Sequence, residues 1–470
     1  MGPPTTPPTA ETSAPEAQLR LLCDPGSFRA LRSGVSSPRL GERAVPGDGV
    51  VAGGGEVGGR PVFCYAQDPS FLGGSLGEVH AETIVRLLRM AGDAGAPVVG
   101  FVRSGGARLQ EGHAALAGYG RIFRASVELS RRVPQISVLD GISAGGGAYS
   151  PALTDFVVMT AGSRMFLTGP KVVAEAMGEE IGMEALGGPM VHSRNGVAHL
   201  IAEDAAGAVA ATRRLLALLP QRIGGPLPLG DVAEQADADP GSFVPAEPRQ
   251  VYDVRDVAGA ILDPDSLAEI SPRWAANMVT GLARLDGRPI GLVANQPRRL
   301  GGVIDAAGSE KAALFIDACD RFGLPLLVLV DTPGFLPGRR QEEAGVIRYG
   351  AQLLRAFAAA RVPKVTLVLR KAFGGAAITM NSKDLGADLV FSWPGAQIGI
   401  MAARQAVGIV HRRALAAADG PGRVELADAY AAEHLTAAAA AASGWVDEVI
   451  EPACSRDRLA WALRSLGGRG

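Results

Sequence analysis

The chain repeats itself. "GRPVFCYAQD" opens at Gly59 and "GRPIGLVANQ" at Gly287, 228 positions later. "LGG" at Leu72 returns at Leu300, and the proline of "GAPVVGFVRSGG" (Pro97) returns in "GLPLLVLVDTPG" (Pro325), both at the same interval. "VPQISVLDGISAGG" and "VPKVTLVLRKAFGG" set Pro134 against Pro363 and Gly145 against Gly374, 229 apart. Matches in one order at a nearly constant interval define a tandem duplication of a unit of roughly 220 residues. Two such units need two cores, and the 470 residues at 47% hydrophobic content can supply them. The Pro/Asp-rich stretch "PLPLGDVAEQADADPGSFVPAEP" reads as the joint. The expected organisation is a disordered tail over residues 1–20, a first half over 21–245 and a second over 246–470.

Within each unit short apolar runs alternate with helical patterns. "APVVGFV" precedes "GGARLQEGHAALAGYGRIFRASVELSRR", and "QISVLD" precedes a glycine triplet, "AYSPALTDF" and then "FVVMT". Strand, loop, helix, strand is the βαβ signature, so an α/β fold with mostly parallel, helix-covered sheets is expected.

Several classes drop out. A net charge of −2 leaves no electrostatic footprint for nucleic acid. No apolar run reaches the ~18–20 residues of a membrane span. "MGPPTTPPTAETSAPEAQ" has neither a basic nor an apolar signal region, so a cytoplasmic protein is expected. Cys23, Cys64, Cys319 and Cys454 contain no CxxC pair, against a zinc ribbon or a disulfide framework. His192 and His199 have no third ligand nearby and read as structural, so no metal is expected.

The chemistry concentrates in the glycines. In each half Gly-Gly follows a strand and opens a helix, at Gly145-Gly146 and at Gly374-Gly375. A helix N-terminus carries unsatisfied N–H donors and the positive end of the helix dipole. Without a Cβ in the way, two N–H groups can meet one oxygen, as an oxyanion hole requires. Close helix–strand packing is the competing reading of either pair alone; the second copy favours function.

Longer motifs then carry a resemblance. "GGSLGEVHAETIVRL", "SGGARLQEGHAALAGYGRIF", "VPQISVLDGISAGGGAYSPALTDFVVM" and "LGGPMVHSRNGVAHLIAEDAAGA" mark the first half. "GLVANQPRRLGG", "SEKAALFIDACD", "VDTPGFLPGRRQEEAGVIRYGAQLL" and "VPKVTLVLRKAFGGAAITMNSKDLGADLVFSWPGAQIGIM" mark the second. From about Leu21 to about Leu466 the chain resembles the carboxyltransferase (β) subunit of biotin-dependent acyl-CoA carboxylases, acetyl-/propionyl-CoA type. The resemblance implies two crotonase-like ββα-superhelix halves. It implies a first hole at Gly145 and Gly146 for the thioester oxygen of acyl-CoA, and a second at Gly375 and Ala376 for the ureido oxygen of biotin. Substrate contacts are expected around Gly105, Gly106, Ala107, Gly147, Phe373, Gly374, Ala377 and Ile378. It also implies carboxybiotin supplied in trans by a biotin carboxylase/carrier subunit, and a homo-oligomer, usually a hexamer with sites at dimer interfaces. The chain has no "AMKM"-like biotinylation site and no ATP-grasp loop, in keeping with that partner.

Crotonase-type hydratases use glutamates, and none stands beside either Gly-Gly. Carboxyl transfer needs none, because the biotin anion itself takes the α-proton. The family commonly reads "AYGGAY" where this chain has "AFGGAAI". Apolar Ile378 at the family's selectivity position leans towards acetyl-CoA, while Ala377 opens space for a longer chain. The basic N-terminal and "KKHGNIPL"-like C-terminal segments of the family are replaced or missing. Arg103, Arg108, Arg339, Arg340 and Arg348 lie near the glycine loops and are candidates for the CoA phosphates. "GGGEVG" at Gly53 precedes a strand and reads as a hairpin rather than a dinucleotide site. Reverse operation, as a decarboxylase or transcarboxylase, and a non-catalytic assembly role are the alternatives.

Overall fold

The computed structural model describes residues 14–232, 238–247 and 249–467. They divide into two compact units, Met1–Ala217 and Leu218–Gly470. The first holds β1 (Arg29–Leu31), β2 (Val50–Val57), β3 (Arg60–Gln67), β4 (Val98–Ser104), β5 (Gln135–Ala144), β6 (Phe156–Thr160), β7 (Arg164–Phe166) and β8 (Leu200–Ala202). They lie in the order β1-β2-β3-β4-β5-β6-β8, with β7 beside the end of β5. The second holds β9 (Ala268–Ile270), β10 (Met278–Leu285), β11 (Arg288–Asn295), β12 (Leu326–Thr332), β13 (Lys364–Phe373), β14 (Leu389–Ser392), β15 (Gln397–Gly399) and β16 (Glu448–Val449). Its order, β9-β10-β11-β12-β13-β14-β16 with β15 beside β13, repeats the first strand for strand.

Both sheets start from an antiparallel hairpin and continue parallel. The hairpin turns are Gly58-Gly59, with φ of 57° and 71°, and Asp286-Gly287, with φ of 55° and 73°. Two successive positive φ values are what a two-residue turn needs to match strand twist. Of the "GGGEVG" glycines, Gly53, Gly54 and Gly55 lie in β2 and Gly58 starts the turn into β3. Beyond β3 the crossover helix Glu78–Ala94 returns the chain to β4, and His113–Leu129 returns it to β5. Ile84, Leu87, Leu88, Ile122 and Leu129 cover one face of the sheet in a common core. Each such side chain fully buried contributes roughly 1.5–3 kcal/mol.

Two boundaries differ from expectation. Residues 14–22 form a helix, not a tail: Leu19 and Leu22 are fully buried, and Gln18 Nε2 donates to Asp140 Oδ2 at 2.8 Å. The rest of the expected tail, residues 1–13, lies outside the described residues. The boundary between the units falls at Leu218 rather than 245, and the described start of the joint packs on the second unit: Gly230 N–H donates to Gly287 O at 2.8 Å and Arg284 donates to Pro228 O at 2.7 Å.

The two histidines have structural work. His192 Nε2 lies 2.7 Å from Met165 O, and His199 Nδ1 accepts the Val157 N–H at 3.0 Å. That bond requires a neutral ring, and burial lowers the His199 pKa to about 4. A base held below its unfolded pKa of ~6.5 stabilises the fold fully above that value and loses its contribution as pH falls towards 4. Unfolding free energy is therefore expected to drop by about 2 kcal/mol between pH 7 and 5 from this group. Urea titrations at both pH values should show a shallower slope for His199→Gln, whose amide oxygen can accept the same N–H without titrating.

Candidate active site

In the first unit β5 runs to Ala144, beside Phe166 of β7. The next residue, Gly145, donates its N–H to Phe166 O at 3.1 Å. Its backbone, φ 58° and ψ −128°, suits only glycine. The helix Gly146–Ala152 begins there. A Cβ on Gly146 would lie 2.8 Å from the Tyr119 ring, and one on Gly147 2.8 Å from Ser143 Oγ. The triplet thus has three separate causes: an inaccessible backbone angle, an aromatic ring and a packed strand.

The loop after β4 reaches the same place. Gly105 N–H donates to Gly73 O at 2.9 Å, and Gly106 N–H to Ser104 Oγ at 3.2 Å. Leu76 N–H donates to Gly106 O at 2.9 Å, and Arg108 N–H to Leu76 O at 3.0 Å. These bonds fix the backbone on both sides of Ala107. Among the described residues no backbone or side-chain acceptor takes the N–H of Ala107 or of Gly146. Gly106 Cα lies 3.9 Å from where a Cβ on Gly145 would sit, so the loop rests against the turn.

The second unit repeats the device. Ile304 N–H donates to Gly334 O at 3.1 Å and Leu336 N–H to Ile304 O at 2.8 Å, fixing the backbone around Phe335. Gly374, φ 60°, takes the place of Gly145. Gly375 matches Gly146 and is exposed, with nothing within 4 Å of a built Cβ.

The expected donors differ in their surroundings. Gly145 spends its N–H within the sheet, and Ala376, matching Gly147, is fully buried. The accessible N–H groups are those of Gly146 with Ala107, and of Gly375 with Phe335. Phe335 escaped sequence reasoning, although the 228-residue interval sets it opposite Ala107. Phe373 and Ala377 are buried, and Ala377 faces an internal cavity of about 20 Å³. Ile378, together with Gly374, Gly375, Ile400, His434 and Trp445, lines an apolar cavity of about 430 Å³. Among the described residues no carboxylate lines that cavity.

The arginines also sort themselves. Arg108 is wholly buried, 2.6 Å from Asp48 Oδ1 and 2.8 Å from Glu111 Oε1, so it positions the Ala107 loop and meets no ligand. Burial pushes the Asp48 carboxyl up, and Arg108 pulls it back down. Arg103 pairs with Asp140, and Arg370 with Asp331 at 3.0 Å on the matching strands of the second unit with the signs exchanged. Arg339 reaches Glu343 at the surface, and Arg348 lies over the Tyr349 ring. N–H donors left without an acceptor, as at Gly375 beside its mostly apolar cavity, can stabilise an oxygen that gains negative charge.

A family model described as the carboxyl transferase domain matches residues 14–467. The chain is 43% identical, over 95% of its length and 87% of the relative, to the methylmalonyl-CoA carboxyltransferase 12S subunit of Propionibacterium freudenreichii subsp. shermanii. It is 47% identical, over 90% of its length and 84% of the relative, to a propionyl-CoA carboxylase carboxyltransferase subunit of Haloferax mediterranei. The crystal structure of transcarboxylase 12S, a hexamer assembly with methylmalonyl-coenzyme A and methylmalonic acid bound, superposes with a TM-score of 0.92 at 42% identity, covering 96% of this chain and 88% of that one.

Proposed function

The chain belongs to the carboxyl transferase domain family, and we propose that it moves CO2 from carboxybiotin, carried by a partner protein, to the α-carbon of a short-chain acyl-CoA. The observation that carries this reading is the pair of matched N–H sets, Ala107 with Gly146 and Phe335 with Gly375, at equivalent strand ends of the two units. Acyl-CoA enolisation puts charge on the thioester oxygen, and loss of the carboxyl group puts charge on the ureido oxygen of biotin. Ala107 and Gly146 serve the first oxygen; Phe335 and Gly375 serve the second. The cavity beside Gly375 is mostly apolar and has no carboxylate among its lining residues. The ureido nitrogen that gives up CO2 takes the α-proton.

Acetyl-CoA, giving malonyl-CoA, is the favoured substrate in this account and propionyl-CoA the second, with apolar Ile378 on the cavity wall as the residue behind the preference. The biotin carboxylase and carrier functions come from a partner subunit in the cytoplasm, and the chain works as a homo-oligomer with a hexamer as the expected form. The name of the Propionibacterium relative favours a second reading, transcarboxylation from methylmalonyl-CoA, which the same two holes serve. An assembly role without catalysis would leave the glycines free to change, and both copies are intact.

ATP-dependent fixation of labelled bicarbonate into acetyl-, propionyl-, butyryl- and longer acyl-CoAs, with a biotinylated carboxylase subunit present, tests this directly. Label is expected in the acetyl and propionyl products. No product beside a partner shown to work with another β-subunit would contradict carboxylation.

A further inference from the structure

Among the described residues, the cavity next to Gly375 has one ionisable side chain in its wall, His434. It is the last residue of the helix Gly420–His434. Its Nε2 lies 3.7 Å from Glu433 Oε1, and its ring is 4.7 Å from that of Tyr430, which in turn faces His411. Ser443, also on the cavity wall, has its hydroxyl committed to Ala440 O at 3.0 Å. The remaining walls are mostly apolar, Ile378, Ile398 and Ile400 among them.

Resting on the reading that carboxybiotin enters this cavity, we infer that His434 is the hydrogen-bond donor to its transferable carboxylate. A carboxylate taken from water into apolar surroundings needs a partner, and the N–H groups of Phe335 and Gly375 are already assigned to the ureido oxygen. An imidazole at the cavity wall can supply that partner and release it as the group leaves as neutral CO2. Since the contact exists only while the carboxyl group is attached, His434 separates charged from uncharged biotin.

The test uses the whole protein with a biotinylated carrier bearing a labelled carboxyl group, and propionyl-CoA as acceptor. His434→Phe keeps the ring volume and removes the donor; His434→Gln keeps a donor. His434→Phe is expected to raise the KM for the carboxylated carrier about tenfold, with His434→Gln recovering most of that loss and the KM for propionyl-CoA moving less than about twofold. Equilibrium dialysis with labelled free biotin, which lacks the carboxyl group, should give near-equal binding to wild type and His434→Phe. Unchanged carrier KM in both variants, or a rise confined to propionyl-CoA, overturns the assignment. Wild-type protein that binds no biotin and transfers no label overturns the reading of the cavity and His434's role with it. Melting curves on both variants separate either result from misfolding.

Discussion

Gly375→Val is expected to lower carboxyl transfer by about a hundredfold or more while leaving the protein folded. A built Cβ on Gly375 meets nothing within 4 Å, and the residue has an ordinary backbone angle, so the chain tolerates a side chain there. The added methyl groups would occupy the mouth of the cavity, in front of the N–H that the ureido oxygen needs. Gly146→Val is less informative, because its side chain would strike the Tyr119 ring and disturb folding as well as the hole. Steady-state transfer together with a melting curve reads both quantities for Gly375→Val. Near wild-type turnover would remove the second hole from the mechanism.

The second large effect is on stability. Arg108→Met is expected to cost about 3–5 kcal/mol, which is the penalty for removing one partner from a buried ionic cluster. Asp48 and Glu111 would remain with only neutral donors: His80 N–H on Asp48 at 2.9 Å, Ser37 Oγ–H on Glu111 at 2.9 Å and Glu78 N–H on Glu111 at 2.6 Å. With the guanidinium gone, burial pushes the Asp48 carboxyl up against the His80 N–H alone among the donors that held it down. Arg339→Ala is the control: that side chain is 87% exposed, and its pair with Glu343 contributes little. Thermal melts should fall by roughly 6–20 °C for Arg108→Met and by about 2 °C or less for Arg339→Ala. Equal melting temperatures would show that the cluster is not what holds the Ala107 loop.

The duplicated architecture was legible because strand order, hairpins and loops follow the 228-residue interval closely. What was hidden depended on contacts distant in sequence or on elements too short to recognise. The loss of the Gly145 N–H to the sheet comes from β7, three residues long, whose "RMF" has no readable alternation. Arg108 read as a candidate for the CoA phosphates because Asp48, its buried partner, is 60 residues away. Phe335 was readable but missed: laying "TPGF" over "SGGA" sets it opposite Ala107, and its aromatic side chain distracted from a backbone role. The helix at 14–22 was hidden by the Pro/Thr run before it, although "APEAQLRLL" is composed mainly of good helix formers with Leu19 and Leu22 on one face.

The central claim, that two matched N–H sets carry carboxyl transfer, is tested most directly by the half-reaction without ATP. A purified biotinylated carrier charged with labelled carboxyl group is mixed with propionyl-CoA and this chain, and the label is followed. The account predicts that label moves to the CoA ester with wild type and stays on the carrier with Gly375→Val. Label that stays on the carrier with folded wild type, or moves equally well with Gly375→Val, contradicts it.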